Sequence, residues 1–121
     1  MLRVLIVDDE PLARARLRTL LAADAELAIV GECGNGPDAV ATIARVAPDL
    51  VLLDLQMPGF DGLEVVRRVG LDHMPPVVFI TAHNDYAVEA FASIAVDYIL
   101  KPVDWQRLGE AVQRAKLRIG A

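Results

Sequence analysis

A doubly wound α/β fold on a five-stranded parallel sheet is predicted by three features of this sequence. Leu50-Val51-Leu52-Leu53 is an unbroken aliphatic run. A strand without alternation is covered on both faces, as central parallel strands are. Apolar runs of strand length alternate with stretches at helical spacing, the order of successive βαβ units. The runs also stop at polar residues that carry chemistry: Asp8-Asp9, Asp54, Thr81 and Lys101. In open α/β sheets the crevice beyond the carboxyl ends of the strands is where sites form.

Leu2 to Val7 is the first strand, closed by Asp8-Asp9-Glu10-Pro11. Acids followed by proline signal a helix start, and Leu12, Leu17, Leu20 and Leu21 continue it to about residue 22. Residues 28–33 form a shorter run broken by Gly31 and Glu32, as an edge strand would be. Gly34-Asn35-Gly36-Pro37 has turn chemistry. Ala39, Val40, Ile43 and Ala47 then predict a helix that Pro48-Asp49 stops.

After the central strand, the loop from Met57 to Gly62 has Pro58-Gly59 in its middle, a tight turn with positive φ at the glycine. Leu63, Val66, Arg67 and Val69 make a short helix. Residues 76–80 are the fourth strand, ending at Thr81-Ala82. A helix over 85–92 carries Tyr86, Val88, Ala90 and Phe91, and a fifth strand over 96–100 ends at Lys101-Pro102. Asp104 caps the last helix, with Leu108, Val112 and Ala115 facing inward. Right-handed crossovers then give strand order 2-1-3-4-5, the flavodoxin-like (βα)5 arrangement.

The chain of 121 residues is one domain long, and its 55% hydrophobic fraction exceeds what an ordinary surface needs. No segment reaches the roughly 18 apolar residues of a spanning helix, so no membrane role is expected. Met1-Leu2-Arg3-Val4 leads directly into the first strand, so no signal peptide is expected. A single cysteine, Cys33, excludes an internal disulfide and fits a reducing cytoplasm, the expected location. The formal net charge of −5 leaves this domain no electrostatic reason to bind nucleic acid by itself.

With strands one and three as neighbours, Asp8, Asp9 and Asp54 meet in one crevice. Two unit charges about 4 Å apart repel by roughly 4 kcal/mol at an effective dielectric near 20. Such a cluster calls for a cation, and oxygen donors without His or Cys favour a hard ion such as Mg²⁺. Each residue alone has a blander explanation. Asp8 or Asp9 could cap the first helix, Asp54 could be a strand-end acid, Thr81 a loop hydroxyl and Lys101 a solvated charge. All five at carboxyl ends make the set specific. A phosphoryl group fits there, its charge offset by metal and lysine and its oxygen hydrogen-bonded by the Thr81 hydroxyl. Asp54 stands centrally and is the candidate acceptor.

Val7-Asp8-Asp9-Glu10, Leu53-Asp54-x-x-Met57-Pro58-Gly59-x-Asp61-Gly62, Thr81-Ala82 and Asp97-Tyr98-x-x-Lys101-Pro102 together carry a resemblance. Over essentially its whole length the chain resembles the receiver domain of bacterial two-component response regulators. The resemblance implies a phosphoacceptor switch, not an enzyme with an external substrate, in which Asp54 takes phosphate from the phosphohistidine of a sensor histidine kinase. It implies Mg²⁺, with Mn²⁺ able to substitute, held by Asp9, Asp54 and the backbone carbonyl of Gln56, Asp8 acting through water. It further implies a cis bond at Lys101-Pro102, a Thr81/Tyr98 switch, and tuning of phosphoryl lifetime by Gln56 and His83. The face formed by the 85–92 helix, the fifth strand and the last helix would rearrange and support a homodimer. Tyr86, Ala87, Ala90, Phe91 and Trp105 are either its apolar patch or core. The segments around Asp85 and Val96 are similar to receivers attached to LytTR-type DNA-binding domains. Residues 1–121 are thus expected to be a single receiver domain, with DNA reached only through an output domain beyond Ala121. A stand-alone receiver or phosphorelay shuttle is the alternative.

Two rivals use the same fold. A haloacid dehalogenase-type phosphatase wants Asp-x-Asp on strand one and a cap insertion, where this chain has adjacent Asp8-Asp9 and no cap. A flavodoxin-type binding module would set these acids against its flavin phosphate.

Overall fold

The computed structural model describes residues 1–82 and 91–120. Its strands are β1 (Leu2–Val7), β2 (Leu27–Cys33), β3 (Leu50–Leu53), β4 (Val77–Thr81) and β5 (Ala95–Leu100). They form one sheet in the order β2-β1-β3-β4-β5, with every pairing parallel. The helices among the described residues are α1 (Pro11–Leu21), α2 (Gly36–Val46), α3 (Gly62–Val69) and α4 (Trp105–Ile119). The helix expected over 85–92, with Tyr86, Ala87, Val88 and Ala90, lies outside them except for its end, where Phe91 is buried in the core. No helix among the described residues is long and apolar enough to cross a membrane.

The period-2 geometry of a strand sends alternate side chains to opposite faces, and here both faces are dry. Leu5, Val7, Val51, Leu53, Val77 and Phe79 pack on one face with Ala39 and Ile43 of α2 and Val65 and Val66 of α3. Val4, Ile6, Leu50, Leu52, Val78 and Ile80 pack on the other with Leu17 and Leu21 of α1 and Leu108, Ala111, Val112 and Ala115 of α4. The edge reading of β2 holds, since it pairs only with β1 and most of its residues are half-buried.

Helix ends follow their local chemistry, with two departures from expectation. The N-cap of α1 is Glu10, not Asp8 or Asp9, and its side chain makes no capping bond. The stretch 34–37 is more than a turn. Asn35 accepts from the Asp38 N–H as N-cap, and Gly36 and Pro37 already belong to the first turn of α2, where a proline lacks nothing the helix needs. Asp61 and Asp104 cap α3 and α4 by accepting from Glu64 N and Arg107 N. Gly59 has the expected positive φ, 75°.

One ion network was not legible in the sequence. Asp97 on β5 accepts from both Nη atoms of Arg107, at 2.8 and 2.7 Å, and also from Arg114 Nη1. Arg107 donates in addition to the Tyr98 carbonyl at 2.9 Å, so α4 is tied to β5 at the strand's backbone. Burial pushes the Asp97 carboxyl up, but the bonds from Arg107, the Tyr98 N–H and Arg114 prevail and lower it to about 2. A depressed folded pKa stabilises above the ordinary carboxylate range and ceases to do so as pH falls through it. Asp97→Asn is therefore expected to cost on the order of 2 kcal/mol in urea unfolding at pH 7. The gap to the native protein should close between about pH 4 and pH 2. A gap independent of pH would show that the network does not stabilise through this charge.

Candidate functional site

Parallel pairing carries the polar residues to one edge. Val7 lies opposite Leu53, so the residues that follow, Asp8 and Asp54, emerge side by side. Asp54 N donates to the Val7 carbonyl at 2.9 Å, and Asp8 N to the Cys33 carbonyl at 3.0 Å. Thr81 lies opposite Leu100, and Lys101 N donates to the Thr81 carbonyl at 2.8 Å. The buried polar residues of the described chain are Asp8, Asp54 and Thr81, all at the carboxyl edge of the sheet.

Carboxylate oxygens of Asp8, Asp9, Glu10 and Asp54 lie within 4.8 Å of one another. Lys101 Nζ answers them, 2.8 Å from Asp8 Oδ2, 3.1 Å from Glu10 Oε1 and 3.2 Å from Asp54 Oδ2. The other oxygen of Asp54 accepts the Gln56 N–H at 3.0 Å, and Asp8 Oδ1 accepts the Glu10 N–H at 2.9 Å. Burial pushes the Asp54 carboxyl up; the Gln56 N–H and the Lys101 charge act against that. Burial disfavours the Lys101 ammonium ion, yet Asp8, Asp54 and Glu10 together hold its pKa above the usual lysine value. The sequence treats Lys101 alone as a solvated charge; in the structure it is the half-buried countercharge of the pocket.

The remaining expected residues fall as follows. Gln56 is exposed, and with Asp9, Glu10, Met57 and Pro58 it borders an open depression beside the acids. The Lys101-Pro102 peptide bond is cis. Tyr98 is half-buried, opposite Phe79 in the strand register, their ring centroids 6.5 Å apart. Thr81, two residues beyond Phe79, shares that face of the sheet with Tyr98. His83 lies outside the described residues. Trp105 is 54% exposed and Phe91 is core, so the apolar-patch reading divides between them.

Glu10 belongs to the cluster although the sequence reasoning gave it no role. Its place directly after Asp8-Asp9, in the loop leaving β1, was the available signal. Arg14 was also missed; its Nη1 donates to the Asp8 carbonyl at 2.7 Å. Gly62 now has a physical reason. A Cβ there would come within 2.5 Å of the Asp54 carbonyl oxygen and 3.0 Å of Leu55 Cα.

Fold and pocket define a class: a parallel α/β domain with an acidic, lysine-bridged site at the carboxyl edge of its sheet. The chain belongs to the response regulator receiver domain family, whose model matches residues 4–113. It is 46% identical over 116 residues to the transcriptional regulatory protein BtsR of Salmonella typhi, covering 96% of this chain and 48% of that protein. The chain thus spans about half the length of the curated relatives it matches. The response regulatory domain of mrkE from Klebsiella pneumoniae superposes with a TM-score of 0.86 at 34% identity, covering 98% of both chains. The CheX-CheY-BeF3-Mg+2 complex from Borrelia burgdorferi matches with a TM-score of 0.81 at 26% identity, over 93% of this chain and 87% of that one. This is a receiver domain of two-component signalling, and the phosphatase and flavodoxin alternatives fall away.

The close approach of Gly62 yields a test. Gly62→Ala is expected to destabilise by about 1–3 kcal/mol, the usual cost of overpacking. Its added methyl presses on the backbone that carries Asp54, so ligand binding at the acid cluster should weaken as well. Chemical denaturation and Mg²⁺ titration followed by NMR would check both; a variant as stable as the native protein would mean that the helix start can shift freely.

Proposed function

We propose that this domain is a phosphorylation-controlled switch in which Asp54 accepts a phosphoryl group from the phosphohistidine of a sensor histidine kinase. The observation that carries the reading is the three-way pairing of Lys101 with Asp8, Glu10 and Asp54 at the rim of a dry sheet. Asp54 supplies a carboxylate oxygen that bonds phosphorus as the phosphorus–nitrogen bond to the imidazole breaks, and the imidazole takes up a proton. The Gln56 N–H holds Oδ1 while Oδ2 faces Lys101, so the carboxylate is fixed in orientation before a donor arrives. Burial raises the Asp54 carboxyl above the ordinary aspartate value, which favours nucleophilic attack, while the Gln56 N–H and the Lys101 charge act against that rise. The Lys101 charge and the Thr81 hydroxyl would stabilise the equatorial phosphoryl oxygens.

The donor set fits Mg²⁺: clustered carboxylates, with no histidine or thiolate ligand among them. Asp9, Asp54 and the Gln56 carbonyl would hold the ion, with Asp8 acting through water and Mn²⁺ able to substitute. Bound there, it would neutralise charge on the transferred group. The Borrelia relative was solved with BeF3 and Mg+2, which supports this reading of the pocket.

Downstream, Thr81 and Tyr98 would couple the pocket to β5 and α4. A Thr81 hydroxyl drawn toward the phosphoryl group leaves space for the Tyr98 ring on their shared face. The exposed Trp105 and Leu100 suit a homodimer through the face that includes β5 and α4. Relatives named as transcriptional regulatory proteins and about twice as long support a receiver that controls an output domain, in preference to a stand-alone shuttle. That output domain would be of the LytTR DNA-binding type that the segments around Asp85 and Val96 resemble, and the protein would act in the cytoplasm.

Incubation with acetyl phosphate and Mg²⁺ should add one phosphoryl mass increment to the intact protein, absent in Asp54→Ala. Persistent labelling of that variant would move the acceptor elsewhere. Excess EDTA should abolish labelling; an unchanged rate would remove the metal from the reaction.

A further inference from the structure

Lys101 has no donor to spare. An ammonium group carries three N–H bonds, and those of Lys101 face Asp8 at 2.8 Å, Glu10 at 3.1 Å and Asp54 at 3.2 Å. A phosphoryl oxygen arriving at Asp54 gains this lysine only if one carboxylate lets go. The three differ in what release costs. The side chains of Asp8 and Asp54 are 1% and 4% exposed, so an unpaired charge there would be stranded away from water. The Glu10 side chain is 65% exposed, and its freed carboxylate would pass straight into solvent, where ion pairing is worth little. Release also leaves the fold intact. Glu10 sits at the N-cap of α1 without a side-chain capping bond, and its backbone is held independently by Asp8 Oδ1.

We infer that Glu10 is an exchangeable positioning residue: it keeps Lys101 aimed at Asp54 in the resting site and yields it to the incoming phosphoryl group. The inference rests on the phosphoacceptor reading above and adds a residue that competes with the phosphoryl group for its lysine. Removing the charge at Glu10 removes the competitor, so labelling should accelerate by about two- to fivefold, the factor an exposed ion pair represents.

The test compares the native protein with Glu10→Gln, using acetyl phosphate at saturating Mg²⁺. Faster labelling of the variant, with unchanged half-saturating Mg²⁺ and unchanged Tm, is the expected result. A spectroscopic signature in the native protein separates exchange from a merely structural role. With glutamate ¹³C-labelled at its carboxyl, the Glu10 resonance (assigned by its loss in the variant) should move toward that of solvated glutamates when beryllofluoride joins Mg²⁺. Labelling that is equal or slower in Glu10→Gln, or a Glu10 resonance that beryllofluoride leaves in place, overturns the inference. A raised half-saturating Mg²⁺ in the variant would also overturn it, by making Glu10 a metal ligand. Native protein that takes no label on Asp54 would instead overturn the phosphoacceptor reading itself.

Discussion

Like charges in a dry place set the terms for this molecule. Asp8 and Asp54 leave adjacent strands with their side chains almost wholly shielded from water, and Asp9 and Glu10 stand at the rim of the same cluster. At such separations each carboxylate pair repels by kilocalories unless a cation lies between them. Within the chain that cation is Lys101, reached from the far side of the sheet through β5 and held above its ordinary pKa by its partners. One lysine offsets only part of the charge of four carboxylates, so the cluster stays anionic and suited to a cation. A phosphoryl group that takes up the lysine must share it with the carboxylates it already pairs.

The rest of the architecture makes that balance possible. Because β1, β3 and β4 are apolar on both faces, the sheet offers polar groups no outlet except its ends. Parallel pairing then converts sequence positions into neighbours, since strands in register at Val7 and Leu53 release Asp8 and Asp54 together. The turn at Gly59 and the side-chain-free contact at Gly62 bring α3 hard against the end of β3. Asp97, Arg107 and Arg114 fasten α4 to the same strand that delivers Lys101 and carries Tyr98. Any signal that moves Tyr98 must therefore act on a backbone already anchored through its carbonyl.

Much of this was legible from residue order. Unbroken aliphatic runs marked the buried strands, the acids before Pro11 and the capping Asp104 marked two helix starts, and polar residues at successive strand ends marked the edge that holds the site. Glu10 was legible only as a neighbour of Asp8-Asp9, and its pairing with the pocket lysine was not. Its role depends on a lysine that lies 91 residues away in the chain. Asp97 with Arg107 and Arg114 escaped for the same reason, as charges on separate elements have no shared period. Gly36 and Pro37 read as a turn in the sequence because turn and helix N-terminus draw on the same residues, and only the backbone after Asn35 distinguishes them.

By itself, then, the sequence determined the fold class, the place of each strand though not its exact ends, and the identity of the acids, the threonine and the lysine at the sheet edge. These are local properties: periodicity, capping preference and the residue that ends each apolar run. Only the tertiary structure decided which of them touch. Lys101 meets three carboxylates, Glu10 joins the cluster and Gly62 abuts the Asp54 carbonyl because strand register and helix packing bring distant segments within a few ångströms. No local property of the chain encodes those distances.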